Sequence, residues 1–319
     1  MEQEQQGKKP YVVVIGGANI DIGGQSFAPL VLKDSNPGTI SMKLGGVGRN
    51  IAHNMSLLGL HVCFITAFGE DVYAAKIASS CSELGIDSSP SMHVQHGFTS
   101  AYLFIEGKDG DMEAAIADMA LYEQITPEFL QTRESLLQEA QVIVVDTNIP
   151  KNSIEWVATH CRTPIFVDPV STTKAMKLQA VLGFVHTLKP NLLEAEILSG
   201  VKITDRVTLH QAVDVLLATG LQRIFISMGK QGVMAADHRG RKMLPCIKTT
   251  PVGMTGCGDA FMAAIVWAYL NDLDLEESAK AGLAAASLCI EYPETVNPNL
   301  NQKHLKERIN LTEYSISII

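Results

Sequence analysis

A short run of small residues that leads into an apolar segment carries the strongest chemical signal in this chain of 319 residues. The run is Thr255-Gly256-Cys257-Gly258-Asp259, and the segment after it has the composition of an apolar helix. The first-turn amides of such a helix have no intrahelical partner and carry the positive end of its dipole. Glycines let the backbone approach a ligand closely. The run therefore predicts an anion hole for a transferring phosphoryl group, formed by the backbone of Gly256, Cys257 and Gly258.

Asp259 is the candidate catalytic residue of this run. It lies within about a residue of the predicted anion hole, where a carboxylate can accept the proton of an attacking hydroxyl group. A carboxylate in a first helical turn also stabilises the helix through its dipole. A purely structural role for Asp259 is therefore the alternative.

Two further motifs in the first half of the chain offer polar groups to a ligand. Gly45-Gly46-Val47-Gly48-Arg49-Asn50 is a glycine turn that opens a helix, and it matches neither the dinucleotide fingerprint nor the P-loop pattern. Asn19 and Asp21 follow the first predicted strand, and ligands bind beyond the carboxyl ends of parallel strands. The amide and the carboxylate can bond adjacent sugar hydroxyls, or they can form an Asx turn.

Two motifs in the second half point to a nucleotide and its metal. Lys189-Pro190-Asn191-Leu192-Leu193-Glu194 places Asn191 and Glu194 on one face of a helix that starts near Pro190. This pair can hold a hydrated Mg²⁺, or it can cap the helix. Ser227-Met228-Gly229-Lys230-Gln231-Gly232 is a glycine turn after a strand, which can line a nucleotide phosphate or form a hairpin.

A regular alternation of strands and helices positions these motifs. Continuous apolar, β-branched runs predict strands buried on both faces. They occupy Tyr11–Ile15, Val62–Thr66, Val142–Val145, Ile165–Val167 and Ile224–Ser227. Helical patterns occupy Ile51–Leu58, Ala74–Leu84, Ser153–His160 and Leu209–Ala218. The alternation predicts an α/β protein in which helices cover a parallel sheet.

Two segments interrupt the alternation. Polar and apolar residues alternate strictly in Thr39–Leu44, after the turn-forming run Asp34-Ser35-Asn36-Pro37-Gly38. Ala101–Ile105 and Met112–Ile116 flank a second turn, Gly107-Lys108-Asp109-Gly110. Strands with one polar face do not belong inside a buried parallel sheet, so these segments predict a small antiparallel lid. We assign residues 22–44 and 97–118 to the lid of one domain that spans 1–319.

Bulk properties narrow the class of protein. The chain is 46% hydrophobic, which is ample for a large core, and its net charge of −9 gives no reason to expect a nucleic-acid partner. The six cysteines form no CxxC pair, which predicts free thiols in a reducing compartment. Because no apolar run approaches the roughly 20 residues of a membrane span, we expect no membrane partner and a cytoplasmic location. A targeting peptide for peroxisomes or another organelle is the alternative.

Taken in this order, the motifs resemble the PfkB or ribokinase family of carbohydrate and nucleoside kinases. The resemblance runs from Asn19 to Asp259, and its two signatures are Gly-Gly-x-Gly-x-Asn and Thr-Gly-x-Gly-Asp. It implies a ribokinase-like three-layer α/β/α fold with a mostly parallel central sheet and a small antiparallel β lid. It also implies ATP as phosphoryl donor, Mg²⁺ as metal and Asp259 as catalytic base.

The resemblance assigns the remaining residues to ligands. The residues expected to bind the substrate are Asn19, Asp21, Gly45, Gly46, Asn50 and Asn148, with Ser35, Asn36, Thr99 and Ser100 of the lid. Those expected to border ATP are Ser227, Gly229, Gly232, Asn191 and Thr255, and those expected to hold Mg²⁺ are Glu194 and Asn191. In the family the lid often forms a dimer contact, which implies a homodimer. A K⁺ site is the open alternative, because Gly253 stands where the family commonly has an acidic or amide residue.

Finer details resemble the pseudouridine kinase branch of that family. They are Asp34-Ser35-Asn36-Pro37-Gly38, the run at 45–52, Val-Asp-Pro-Val-Ser at 167–171 and Leu-Lys-Pro-Asn at 188–191. The lid shows no aromatic cluster suited to stacking a purine. The resemblance thus implies phosphorylation of the 5′-hydroxyl of a ribose moiety, with pseudouridine as acceptor. Ribose, adenosine or another nucleoside is the alternative acceptor, and a non-catalytic sugar or nucleotide sensor is the alternative class.

Overall fold

The computed structural model describes residues 9–253 and 255–316. Its strands are β1 (Val12–Ile15), β2 (Asn19–Ser26), β3 (Gly38–Gly45), β4 (Val62–Ile65), β5 (Ala67–Phe68), β6 (Met92–His93), β7 (Ala101–Glu106), β8 (Met112–Asp118), β9 (Val142–Asp146), β10 (Ile165–Asp168), β11 (Thr187–Leu188), β12 (Arg223–Ser227), β13 (Val233–Asp237) and β14 (Gly240–Leu244).

Helices connect and cover these strands. They are α1 (Val47–Leu57), α2 (Val72–Glu83), α3 (Pro127–Gln131), α4 (Glu134–Glu139), α5 (Lys151–His160), α6 (Thr172–Ala175), α7 (Leu192–Ser199), α8 (Arg206–Ala218), α9 (Cys257–Leu270), α10 (Leu275–Ile290) and α11 (Gln302–Ile316). Short 3₁₀ helices occupy Ala120–Gln124, Met176–Leu178, Leu182–Phe184 and Gly229–Gln231. No helix within the described ranges is long and apolar enough to cross a bilayer.

The large sheet has the strand order β14-β13-β12-β11-β10-β9-β1-β4. Its strands run parallel from β4 to β12, and β13 pairs antiparallel with both β12 and β14. Side chains of β1 alternate between two cores: Val12 and Val14 face one layer of helices, and Val13 and Ile15 face the other. A strand buried on both faces explains the continuous apolar run. The predicted three-layer arrangement is confirmed.

The lid sheet has the order β3-β2-β7-β8. The outer pairs, β2 with β3 and β7 with β8, are antiparallel as predicted, whereas the central pair β2 with β7 is parallel. That central pair is parallel because both strands leave the main body in the same direction. Asn19 and Asp21 belong to β2, so the lid begins at Asn19 and not at residue 22.

Candidate active site

Four neighbouring strands of the large sheet, β11, β10, β9 and β1, end at the same edge. Asp146 is the last residue of β9 and Asp168 is the last residue of β10. Lys189 follows β11, and Gly16-Gly17 follows β1. Because parallel strands place their carboxyl ends together, this edge gathers charged side chains at the position where such sheets bind ligands.

The amino end of α9 completes this edge. Gly256 is its N-cap with φ 85°, and a Cβ there would lie 1.9 Å from Thr295 O, so the position requires glycine. No side chain caps the helix, and Ala260 N donates to Gly256 O (2.9 Å). The amides of Cys257 and Gly258 thus precede the first intrahelical bond. Free amides at a helix start can bind an anion, and the anion hole stays a prediction.

Asp259 is buried beside these amides. Its Oδ2 accepts a hydrogen bond from Asn50 Nδ2 (2.9 Å), which joins the two signature motifs of the sequence. Burial, together with the nearby charges of Asp168 and Asp146, raises the pKa of Asp259 to about 8, although Asn50 and Lys189 oppose the shift. A buried carboxyl group with a perturbed pKa at the end of a sheet is typical of a general base.

Lys189 lies at the same edge, although the sequence reasoning assigned it no role. Its ammonium group lies 3.0 Å from Asp168 Oδ2, and a Cβ on Gly258 would lie 3.1 Å from Lys189 Nζ. Burial lowers the pKa of Lys189, but Asp168, Asp259 and Glu194 more than offset this, so the net pKa is raised. The ammonium is therefore charged and adjacent to the anion hole. The signal available in the sequence was a lysine directly after a predicted strand end.

The turn after β1 is held by a second buried carboxylate that the sequence reasoning missed. Asp146 Oδ2 accepts from Gly17 N, and Oδ1 accepts from Asn148 N, each at 2.8 Å. Burial raises the pKa of Asp146. The side chain of Asn148 lies against Gly17, and its Oδ1 accepts from Lys174 Nζ (2.6 Å). The predicted substrate residue Asn148 is thus fixed at the edge that carries Asp168.

The glycine turn before α1 packs directly on the turn after β1. Gly46 has φ 99°, and a Cβ there would lie 2.4 Å from Gly17 O. A Cβ on Gly48 would lie 2.8 Å from Gly16 Cα. This close approach fixes the start of α1 and with it Asn50, which therefore reaches α9.

Asn19 and Asp21 lie next to each other at the base of the lid. Asn19 Nδ2 donates to Asp21 Oδ1 (2.6 Å), and both residues belong to an extended strand, so the Asx-turn alternative does not apply. A Cβ on Gly45 would lie 2.2 Å from Asp21 Oδ2. Burial raises the pKa of Asp21, although the bond from Asn19 and the charges of Arg49 and Lys43 oppose it. The pair presents an amide and a partly desolvated carboxyl group.

Two aromatic rings share the Asp21 face of the lid. Tyr102 is the register partner of Asp21, and Phe104 is the partner of Gly23, over which its ring packs. The two ring centroids are 5.7 Å apart. The prediction that the lid lacks an aromatic cluster is therefore wrong. It failed because residues two apart on a strand share a face, and β7 was assigned from its turn and not from its faces.

The predicted lid contacts lie at opposite ends of the lid. Ser35 and Asn36 belong to the exposed loop between β2 and β3, where Asn36 Oδ1 accepts from a backbone amide of the same loop (2.8 Å). Thr99 and Ser100 are buried at the base, where Thr99 N donates to Asp71 Oδ2 (2.6 Å). An eight-residue strand spans seven steps of roughly 3.3 Å, so it separates the two ends by about 23 Å. The structure thus does not bring Ser35 and Asn36 to the other site residues, and their role stays a prediction.

The predicted metal residues form a helix cap. Asn191 Oδ1 accepts from Glu194 N (2.9 Å), and Glu194 Oε2 accepts from Asn191 N (2.8 Å), which is a capping box. Burial and Asp168 raise the pKa of Glu194. Ser227 N donates to Pro190 O (2.9 Å), so the glycine turn predicted to border ATP lies beside this cap.

The other residues predicted to border ATP differ in their surroundings. Gly229 has φ 56°, and no atom lies within 4 Å of a Cβ built on it, so it faces open space. A Cβ on Gly232 would lie 2.0 Å from Leu244 O, which gives this glycine a packing role. Thr255 is exposed just before the anion hole. Gly229 and Thr255 thus remain accessible to a nucleotide.

Comparison with known proteins identifies the family of this chain. A family model described as pfkB family carbohydrate kinase matches residues 9–302. Pseudouridine kinase of Escherichia coli (strain K12) is 38% identical over 296 residues, covering 92% of this chain and 95% of that protein. An uncharacterized sugar kinase of the same strain is 36% identical over 296 residues, covering 92% and 82%.

Solved structures agree with this result. A structure described as a sugar kinase from Clostridium perfringens superposes with a TM-score of 0.86 at 30% identity, covering 96% of each chain. The Arabidopsis thaliana ribokinase solved with ribose and ATP superposes with a TM-score of 0.84 at 21% identity, covering 94% of this chain and 98% of that one. At that identity the second likeness shows the fold alone.

Proposed function

This chain belongs to the pfkB family of carbohydrate kinases, and we propose that it transfers the γ-phosphoryl group of ATP to the 5′-hydroxyl of pseudouridine. The observation that carries the transfer is the buried carboxyl group of Asp259, held by Asn50 beside the free amides of α9. The choice of pseudouridine is supported by 38% identity to a pseudouridine kinase over 92% of this chain.

The residues divide the transfer between them. Asn19 and Asp21 bind hydroxyls of the ribose, and Asn50 orients Asp259. The 5′-oxygen bonds to the γ-phosphorus while its proton moves to Asp259. The bond from that phosphorus to the β–γ bridging oxygen breaks, and ADP leaves with its electron pair. The amides of Cys257 and Gly258 stabilise the negative charge on the transferring group.

We include Mg²⁺ at the cap formed by Asn191 and Glu194. The capping box uses Glu194 Oε2 and leaves Oε1 for a cation or its water. Mg²⁺ keeps several waters and takes one or two carboxylates beside substrate phosphates. A site of this kind does not need three ionisable ligands, and the described residues hold no group of three or more His, Cys, Asp or Glu that could bind a metal. When bound, the ion neutralises charge on the phosphates.

We leave K⁺ out of the proposed function. Gly253 has no side chain to offer, and a Cβ there would lie 2.4 Å from Tyr292 O, so an acidic or amide residue would collide with the backbone. Replacing K⁺ by Na⁺ in the assay should leave kcat unchanged within about twofold. A clear K⁺ requirement would restore the site.

We also propose that the lid pairs with the lid of a second copy. Ile22 lies between Met42 and Leu103 in register, and Ile116 follows, which makes an apolar row on the lid face opposite Asp21. Ile40 and Ile116 are 84% and 68% exposed. Contiguous apolar surface of this kind marks interaction sites. Sedimentation should show a dimer that Ile116→Asp dissociates, and a monomeric wild type at micromolar concentration would contradict this.

The cellular setting follows from the thiols. All six cysteines are free, which fits a reducing compartment, and we place the enzyme in the cytoplasm. Imaging of the tagged full chain tests this placement.

A substrate panel with coupled ADP detection tests the activity. We expect pseudouridine to have a higher kcat/KM than ribose, uridine or adenosine. Pseudouridine carries a ring N–H that uridine lacks, and a buried acceptor left unpaired by uridine costs about 1–3 kcal/mol. The ring pair Tyr102–Phe104 can stack any base, so adenosine is the substrate that most sharply challenges the proposal. Better turnover of adenosine or ribose would overturn the choice of pseudouridine, and no ADP from any substrate would favour a sensor.

A further inference from the structure

Two charged residues at the ends of neighbouring strands form a buried pair that the transfer described above does not use. Val167 of β10 is the register partner of Leu188 of β11, so Asp168 and Lys189 lie opposite each other one position later. Their side chains are 3.0 Å apart, and each is 7% exposed. The strand order, and not the sequence spacing, creates the pair.

The backbone after Asp168 is strained in a way that fixes the carboxylate. Val170 has φ 62°, and Ser171 N donates to Pro169 O (2.6 Å), which describes a γ-turn centred on a β-branched residue. A left-handed valine is an outlier, and such strain persists where a functional geometry needs it. Val170 N donates to Asp168 Oδ1 (2.9 Å), while Oδ2 faces Lys189. Both carboxylate oxygens are thus committed.

Stability alone does not explain why this pair is buried. Two charges lose hydration when they leave water, and a buried ion pair can often be replaced by apolar residues without loss of stability. The ammonium of Lys189 lies next to Gly258 at the end of α9, where a phosphoryl group is expected. A lysine has three donors, and Asp168 takes one of them.

From this geometry, and resting on the proposed phosphoryl transfer, we propose that Lys189 contacts the transferring phosphoryl group and that Asp168 is the positioning residue that aims its ammonium. In the transition state the negative charge is spread over the three equatorial phosphoryl oxygens. A fixed ammonium beside the α9 amides stabilises that charge at no cost of reorganisation.

The pH profile separates this role from a structural one. The charged groups that act on Asp259 are Asp168, Asp146 and Lys189, and Asn50 adds a neutral hydrogen bond. Removing the cation with Lys189→Met raises the pKa of Asp259. Removing a carboxylate with Asp168→Asn lowers that pKa. The acid limb of the kcat/KM profile for the nucleoside, which reports the free enzyme, should therefore move to higher pH in Lys189→Met and to lower pH in Asp168→Asn, although both variants lose kcat.

The experiment measures kcat and both KM values between pH 6 and 9 on the best substrate of the wild type. We expect kcat to fall about 10²–10³-fold in Lys189→Met and about tenfold in Asp168→Asn. The nucleoside KM should stay within about threefold in both. Lys202→Met and Glu196→Gln are the matched controls, because Lys202 and Glu196 form a pair of similar length (2.9 Å) that the proposed transfer does not use. These controls should match the wild type.

Failure of this inference can be distinguished from failure of the proposed function. If the wild type phosphorylates neither ribose nor any of the nucleosides in the panel, the proposed function is overturned. An active wild type with a Lys189→Met variant that keeps more than about a third of kcat overturns this inference alone, as do acid limbs that move in the same direction. If Lys189→Met does not fold, Lys189→Arg takes its place, with an expected loss of at least about tenfold in kcat because the guanidinium presents its donors differently.

Discussion

The carboxyl end of the large sheet and the lid sheet present their side chains in opposite ways. At the sheet end, Asp146, Asp168, Lys189 and Asp259 are buried and held by hydrogen bonds or ion pairs. In the lid, every residue of β8 and the first six residues of β3 are exposed. The groups proposed for catalysis are therefore held in place by contacts within the protein, whereas the lid has exposed surface left to bury. Substitutions at the sheet end should lower kcat, and substitutions in the lid should raise KM.

Asp259→Asn, at the sheet end, should cause the largest loss of activity. The amide keeps the shape of the side chain but cannot accept the hydroxyl proton, and positioned general-base catalysis contributes about 10²–10⁴-fold. We expect kcat to fall by that factor while ATP binding, measured by calorimetry, is unchanged. A variant with more than about a tenth of wild-type kcat would contradict the assignment.

Asp21→Ala tests the junction of the two regions. Asp21 belongs to a lid strand but is partly buried and bonded to Asn19. A carboxylate that bonds sugar hydroxyls in a partly desolvated site is worth about 1.5–3 kcal/mol, or roughly 10–150-fold in KM. We expect this rise in the KM for the nucleoside and little change in the KM for ATP. The reverse result would place Asp21 outside the sugar site.

The pH dependence of kcat/KM tests whether Asp259 at the sheet end is shielded from water, as its burial in the structure indicates. A base must be deprotonated, and burial raises the pKa of Asp259 to about 8. The kcat/KM for the nucleoside should therefore fall about tenfold per pH unit below that value. An acid limb near pH 4 to 5 would indicate a hydrated carboxylate.

The same shift predicts how the stability of the folded protein depends on pH. The raised pKa keeps the Asp259 proton bound in the folded state up to about pH 8, whereas the unfolded state releases it near the ordinary pKa of 3.8. The contribution of Asp259 to stability is then lost as pH rises through this window. Asp259→Asn should accordingly gain more in Tm over the wild type at pH 8 than at pH 5. An equal difference at both pH values would argue against the raised pKa.

The strands of the large sheet were predicted more accurately from the sequence than the helices and the lid. The predicted bounds of strands such as Val12–Ile15 agree with the structure to within one residue. Continuous β-branched apolar runs are typical of strands buried on both faces, so they are easily recognised. Helix α1 begins at Val47, four residues before the predicted Ile51, because buried polar residues at its start break the apolar period. The long helix Leu275–Ile290 was not predicted, since small residues on most of its surface give little periodicity.

Contacts between distant segments were the part that local patterns could not predict. The motif order indicated Asp259 and Asn50 as one site, and the structure joins them at 2.9 Å. The pair of Asp168 and Lys189 depends on β10 and β11 being neighbours, which no local pattern states. In the lid, β2 was not predicted as a strand, because Asn19 and Asp21 suggested either sugar ligands or an Asx turn, whereas pairing with β3 and β7 makes the segment a strand.

Phe104→Ala tests the lid side of the comparison on its own. The ring lies on the Asp21 face near Tyr102, and stacking on a base is worth about 1–3 kcal/mol. Because the ring is also partly exposed, we expect about a fivefold rise in the nucleoside KM with kcat unchanged. Free ribose has no base, so its KM should not move, and Phe184→Ala, an exposed ring outside the lid, is the matched control. A fall in kcat instead would mean that the lid positions the reacting groups.

Cys257→Ala should have the smallest effect on activity and probes the sheet end for chemical reactivity. Cys257 is the first residue of α9, where the helix dipole favours a thiolate. A hydrogen bond with Cys289 lowers the pKa of Cys257, and Cys289 Sγ also reaches Thr295 O (3.4 Å). Because the backbone, and not the thiol, forms the anion hole, alanine should keep kcat within about twofold.

Hydrogen peroxide should inactivate the wild type several times faster than Cys257→Ala, and ATP should protect the wild type by covering the site. Cys246→Ser, which removes an exposed thiol, should remain as sensitive as the wild type. Equal sensitivity of wild type and Cys257→Ala would mean that Cys257 serves only as a small residue that fills the helix start.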